Sequence, residues 1–109
     1  MEKHRKSKKQ EQRITMDLNS IRERARMTPG SGSKWHSKSD VVTDRFRIEA
    51  KTKEKPSKSI TLKKEWLDKI GIEAFETGKT PVLAFSFGDG RDYYVLEKND
   101  FLAMAGGVE

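Results

Sequence analysis

The apolar positions fall into short runs with two different periods. Over residues 15–27, Leu18, Ile21 and Ala25 recur at helical spacing, with Arg22, Glu23, Arg24 and Arg26 on the polar side. A Gly-, Ser- and Pro-rich stretch, 28–39, reads as a loop. Residues 40–52 are strand-like, carrying Val41, Val42, Phe46 and Ile48. After a charged loop at 53–59, Leu62, Trp66, Ile70 and Ala74 form an i+4 stripe with Leu67 and Phe75 beside it. This predicts a helix over 62–77, with Thr61 as N-cap, a Glu65–Lys69 pair and Gly78 at the stop. Residues 81–87 read as a buried strand, 88–91 as a hairpin turn and 92–98 as its return strand. Asn99 caps a last short helix that ends at Gly106 and Gly107. The expected order is αββαββα, a single α/β domain with a central mixed sheet flanked by helices.

Charge changes this picture at one end. The chain has 109 residues and a net charge of +6, all of it within residues 1–40. Residues 1–13 hold Lys3, Arg5, Lys6, Lys8, Lys9 and Arg13 and no apolar side chain after Met1. Such a segment buries too little to offset its ordering entropy, so residues 1–14 are expected to be a basic flexible arm and 15–109 the folded domain. The arm is either a phosphate-binding element or a solubilising tail. The absence of cysteine excludes a disulfide scaffold, a Cys-ligated zinc and a thiol nucleophile. No apolar run reaches the roughly 18 residues of a membrane span, and the start lacks the apolar stretch of a signal peptide. The expectation is a basic cytoplasmic protein with no membrane partner.

The chemistry is concentrated between Asp40 and Lys51. If Asp44 and Arg45 form a two-residue turn, Val42 faces Arg47, Val41 faces Ile48 and Asp40 faces Glu49. Directly opposed residues share a face, and Lys51, two beyond Glu49, shares it too. Two opposed carboxylates repel unless a cation lies between them. Hard oxygen ligands favour Mg²⁺ or Mn²⁺, and the Ala50 carbonyl can add a ligand. Lys51 would stand beside that ion, where it can hold water or stabilise charge on a phosphate. The plainer reading is an exposed Glu–Lys salt bridge and an Asp that merely starts a strand. Asp44 competes with Asp40 but falls in the turn.

Asp40 followed by Ile48-Glu49-Ala50-Lys51 resembles the PD-(D/E)xK nuclease superfamily, whose Asp and Glu-x-Lys flank a β-hairpin. The Pro29–Ser33 loop, the Lys-rich loop after the hairpin and the element order are similar to small phage-encoded or archaeal Holliday junction resolvases, over roughly residues 17–98. Ser39 stands where the motif's proline would be. The resemblance implies a restriction-endonuclease-like core and a Mg²⁺- or Mn²⁺-dependent DNA endonuclease that resolves four-way junctions by paired incisions. Asp40 and Glu49 would hold the metal, Lys51 would be the catalytic lysine and Glu23 the first-helix glutamate, Glu11 lying too far out. It further implies a homodimer acting on DNA, in a host cytoplasm if phage-encoded, and 5′-phosphate products. DNA contacts are expected from Arg22, Arg26, Ser31, Gly32, Ser33, Lys34, Lys38, Lys53 and Lys55, with Trp35 and His36 as weaker candidates. The rivals are a superfamily nuclease for flaps, nicks or duplex DNA, and a non-catalytic nucleic-acid-binding module.

Overall fold

The computed structural model describes residues 5–28 and 39–107. The elements are α1 (Arg5–Ser20), β1 (Arg26–Met27), β2 (Val41–Val42), β3 (Phe46–Thr52), α2 (Lys64–Glu76), β4 (Thr80–Ser86), β5 (Asp92–Val95) and α3 (Lys98–Ala105). The five strands form one mixed sheet in the order β1-β2-β3-β4-β5. Only the β3–β4 pair is parallel. A parallel pair needs a crossover, which α2 provides. The α/β class and mixed sheet agree with the reading of the pattern.

The β2–β3 hairpin has the expected register, Val41 opposite Ile48 and Val42 opposite Arg47. Its turn is braced by Thr43, whose Oγ1 accepts from the amides of Arg45 (3.1 Å) and Phe46 (2.9 Å). Ile48 lies in a cluster with Ile14, Leu18, Val41, Val82 and Ala84, on the side covered by α1. Fully burying one such aliphatic side chain contributes about 1.5–3 kcal/mol. Alternation along β3 then sends Arg47, Glu49 and Lys51 to the other side, toward α2. There Arg47 Nε donates to Thr77 Oγ1 at 3.1 Å, and Ile70 and Ala74 are buried.

Five expectations are corrected. The basic segment from Arg5 is no free arm but most of α1, and the expected helix at 15–27 ends at Ser20, with β1 at Arg26–Met27 instead. The reason is polar docking. Lys6 Nζ donates to the Gly88 carbonyl at 2.7 Å, Gln10 Nε2 to the Lys51 carbonyl at 2.9 Å, and Arg13 grips both oxygens of Asp92 at 2.7 and 2.6 Å. Charge-assisted bonds of this kind are about twice as strong as neutral ones, and Gln10, Ile14 and Leu18 are buried beneath them. Thr61 does not cap α2, which begins after Lys63 with no side-chain cap, and Glu65–Lys69 is replaced by Lys64–Asp68 and Lys69–Glu73 pairs. Asn99 is the residue capped, not the cap: its amide donates to Glu97 Oε1 at 2.8 Å. Within α2 the apolar stripe is only partly covered, for Phe75 is 85% exposed. No helix among the described residues is long and apolar enough to cross a membrane.

Candidate active site

The site is assembled where the β2–β3 hairpin opens out. The Asp40 amide donates to the Ile48 carbonyl at 2.9 Å, and Asp40 Oδ2 accepts from the Ala50 amide at 2.8 Å. That bond bridges the two strands and holds Asp40 beside Glu49. Both carboxylates are buried, Asp40 at 9% and Glu49 at 8% exposure. Burial first, and then the charge of Asp40, push the Glu49 carboxyl above its ordinary value, while Lys69 and Lys51 pull it back. Asp40 is thus close enough to disfavour the charge of Glu49.

Lys51 and Glu49 leave the same side of β3, with Lys51 Nζ 3.6 Å from Glu49 Oε2. The Trp66 ring lies under the amine, its centroid 4.7 Å away, so α2 supports Lys51 through a cation–π contact. The sequence reading assigned Trp66 only to the helix stripe.

Two further groups were left out of the expected site. Lys69 Nζ lies 3.4 Å from Glu49 Oε1 and 3.0 Å from Glu73 Oε2. Burial works to lower the Lys69 pKa, but the two carboxylates outweigh it and raise it. Glu73 is itself buried, and its Oε1 has no hydrogen-bond partner among the described residues. One lysine therefore stands as counter-cation to two carboxylates from different elements. The i,i+4 spacing of Lys69 and Glu73 was legible, but the contact with Glu49 required the sheet.

The other group is Glu11, which the sequence reading set aside as too far out. α1 crosses the end of β3, so Gln10 meets the Lys51 carbonyl and the next residue lies near the carboxylates. Burial first and then the charge of Asp40 push the Glu11 carboxyl up to about 7, while Lys8 pulls it back and Glu49 adds a smaller push. Glu11 lies on α1 and feels the charges of Asp40 and Glu49. Glu23 is not on the helix at all. It follows α1 and is engaged at the turn end of the hairpin, accepting from Thr43 Oγ1 at 2.9 Å and from Arg45 Nε at 2.8 Å. The signal was present in the sequence: Gln10, Ile14 and Leu18 are spaced i, i+4, i+8, which extends the helix back through Glu11.

The remaining candidates are scattered. Arg22 lies in the turn after α1 with φ of 68°, and Arg26 is exposed on the edge strand β1. Lys53 and Lys55 are exposed just beyond β3. Ser31, Gly32, Ser33, Lys34 and Lys38, with Trp35 and His36, lie outside the described residues. Asp44 is in the turn, paired with Arg24 at 2.6 Å.

A hard divalent cation suits the donor chemistry, because Asp40, Glu49 and Glu11 crowd negative charge that raises two of their pKa values. Among the described residues no group of three or more His, Asp or Glu side chains is gathered for a metal. The expected set needs only two side chains, Asp40 and Glu49, with the Ala50 carbonyl. Compared with known proteins, the chain matches no family model, no curated sequence and no solved structure.

Proposed function

We propose that this chain is a metal-dependent DNA endonuclease of the PD-(D/E)xK kind, with four-way junctions as its substrate. The observation that carries the reading is the meeting of Asp40, Glu49 and Lys51 at one end of the hairpin, in the register that the motif requires. Asp40, Glu49 and the Ala50 carbonyl would hold Mg²⁺ or Mn²⁺, which when bound supplies Lewis-acid charge and makes water acidic enough to lose a proton near neutral pH. Hydrolysis joins a water oxygen to phosphorus and breaks the bond from phosphorus to the 3′ oxygen, leaving 5′-phosphate and 3′-hydroxyl ends.

The chain's own groups have distinct tasks in this scheme. Lys51, held between Glu49 and the Trp66 ring, offsets the charge that grows on the phosphate oxygens. Glu11, at about 7, is matched to taking up and releasing a proton at neutral pH. Lys69 keeps Glu49 ionised and oriented. A symmetric pair of chains would place one such site on each of two strands of a junction.

The test is cleavage of a labelled four-way junction and of a linear duplex, each with Mg²⁺ and with chelator. Metal-dependent, symmetric cuts in the junction are expected, and Glu49→Gln and Asp40→Asn should abolish them while DNA binding persists. Cutting of linear duplex alone moves the substrate within the superfamily. Normal cleavage by both variants overturns the site. The rival non-catalytic binding module predicts binding with no cut under any metal.

A further inference from the structure

A cavity of about 130 Å³ lies between the first turns of α1 and the β4–β5 turn, lined by Lys6, Lys9, Arg13, Thr52, Ser86, Gly88 and Gly90. Three of the lining residues are basic, and Asp89, between the two glycines, lies close enough with Asp92 to favour the charge of Arg13. Lys6 is anchored to a neutral carbonyl, so its charge is held in place and not cancelled. Arg13 is paired with Asp92. Lys9 is exposed and makes no hydrogen bond or ion pair among the described residues. Ser86 is 1% exposed, and its Oγ accepts from the Gly88 amide at 3.1 Å. Its own proton has no acceptor among the described residues. A buried hydroxyl donor facing fixed and free cations is a seat for an oxyanion.

The surroundings favour a chain of phosphates over a single one. Gly88, at φ of 92°, packs so closely that a Cβ there would come within 2.9 Å of the Lys53 and Lys55 carbonyls. The Gly88 turn therefore packs on the lysine loop after β3, while its carbonyl accepts from Lys6 of α1. Thr52 lines the cavity and directly follows Lys51, on the opposite face of the same strand. A strand whose scissile phosphate lies at Lys51 would therefore run past the end of β3 toward this cavity.

We propose that this cavity seats a backbone phosphate of a nucleic-acid strand, bound by Lys9, Lys6 and the Ser86 hydroxyl, beside the strand position that is cut. The assignment of a flanking phosphate rests on the nuclease reading; the oxyanion chemistry of the cavity does not.

The test uses the full chain in chelator, so that no cutting occurs, and measures binding of a fluorescent duplex and junction over a range of salt. Lys9→Ala should weaken binding about 5- to 10-fold near 0.1 M salt and reduce the slope of log K against log salt by about 1, the amount for one lost phosphate contact. Ser86→Ala should weaken binding with the slope kept, and Lys98→Ala on α3 should change neither. Unfolding midpoints in urea separate lost contacts from lost fold. If Lys9→Ala binds like the parent while the parent cleaves with Mg²⁺, the cavity falls and the nuclease stands. If no metal supports cleavage yet Lys9 sets the salt slope, the nuclease falls and the cavity stands. Inorganic phosphate that shifts the Lys9 and Ser86 resonances, while strand binding ignores both residues, would assign the cavity to free phosphate and overturn the proposal.

Discussion

The two faces of β3 are built from alternate residues of one seven-residue strand and have opposite chemistry. On the α1 side, Ile48 is sealed among Ile14, Leu18, Val41, Val82 and Ala84. On the α2 side, Glu49 and Lys51 sit beside Lys69, Glu73 and the Trp66 ring, and burial opposes the ionisation of Glu49. The first face contributes stability by removing apolar surface from water. The second gives some stability up, because buried like charges are kept together. A strand two residues wide in its repeat thus carries structure and chemistry side by side without mixing them.

The largest expected effect tests the first face. Ile48→Ala should cost about 2–5 kcal/mol in a urea titration, the range for large-to-small changes in a sealed core. The folded fraction should still bind DNA. A variant that unfolds at the parent's midpoint but no longer binds would mean the faces are not separate.

Next is the converse on the second face. Glu49→Gln should lower cleavage at least roughly 100-fold, since even groups that only orient a metal ligand cost about 10- to 100-fold. Its urea midpoint should stay level or rise, because the substitution removes a charge that burial penalises. A clear fall in midpoint would make Glu49 structural.

Lys69→Met is the sharper probe. It removes the cation shared by Glu49 and Glu73, so the Glu49 pKa should climb further, and the acid limb of the pH–rate profile should move up by about one unit or less. An unmoved limb would separate Lys69 from the site.

The smallest effect concerns Glu11. Its folded pKa lies above the unfolded value, so its contribution favours the fold fully below about 4.5 and is lost as the pH rises through about 7. In chelator, the melting temperature of the parent should therefore decline more between pH 5 and 7.5 than that of Glu11→Gln, by a few degrees. Mg²⁺ should narrow the difference if Glu11 faces the ion. Parallel declines would remove Glu11 from the carboxylate cluster.

Much of this was legible in the chain. The hairpin register followed from period-2 alternation around Asp44 and Arg45, because a one-residue slip would turn Ile48 outward and Glu49 into the core. The α2 stripe and the β4–β5 hairpin followed from equally local patterns. The first helix did not. Its buried residues are only Gln10, Ile14 and Leu18, and a segment so polar reads as unable to order itself. The placement of Glu23 on the first helix came from the same reading.

Sequence by itself determined which residues alternate, and so which side chains of the hairpin can meet: Asp40, Glu49 and Lys51. Tertiary structure alone decided what stands around them. Lys69, Glu73 and Trp66 arrive through the crossover, and Glu11 arrives through a helix held by Lys6, Gln10 and Arg13 against distant acceptors. Alternation within a strand is dictated by local backbone geometry, whereas a polar helix orders only when remote carbonyls and carboxylates are already in place to receive it.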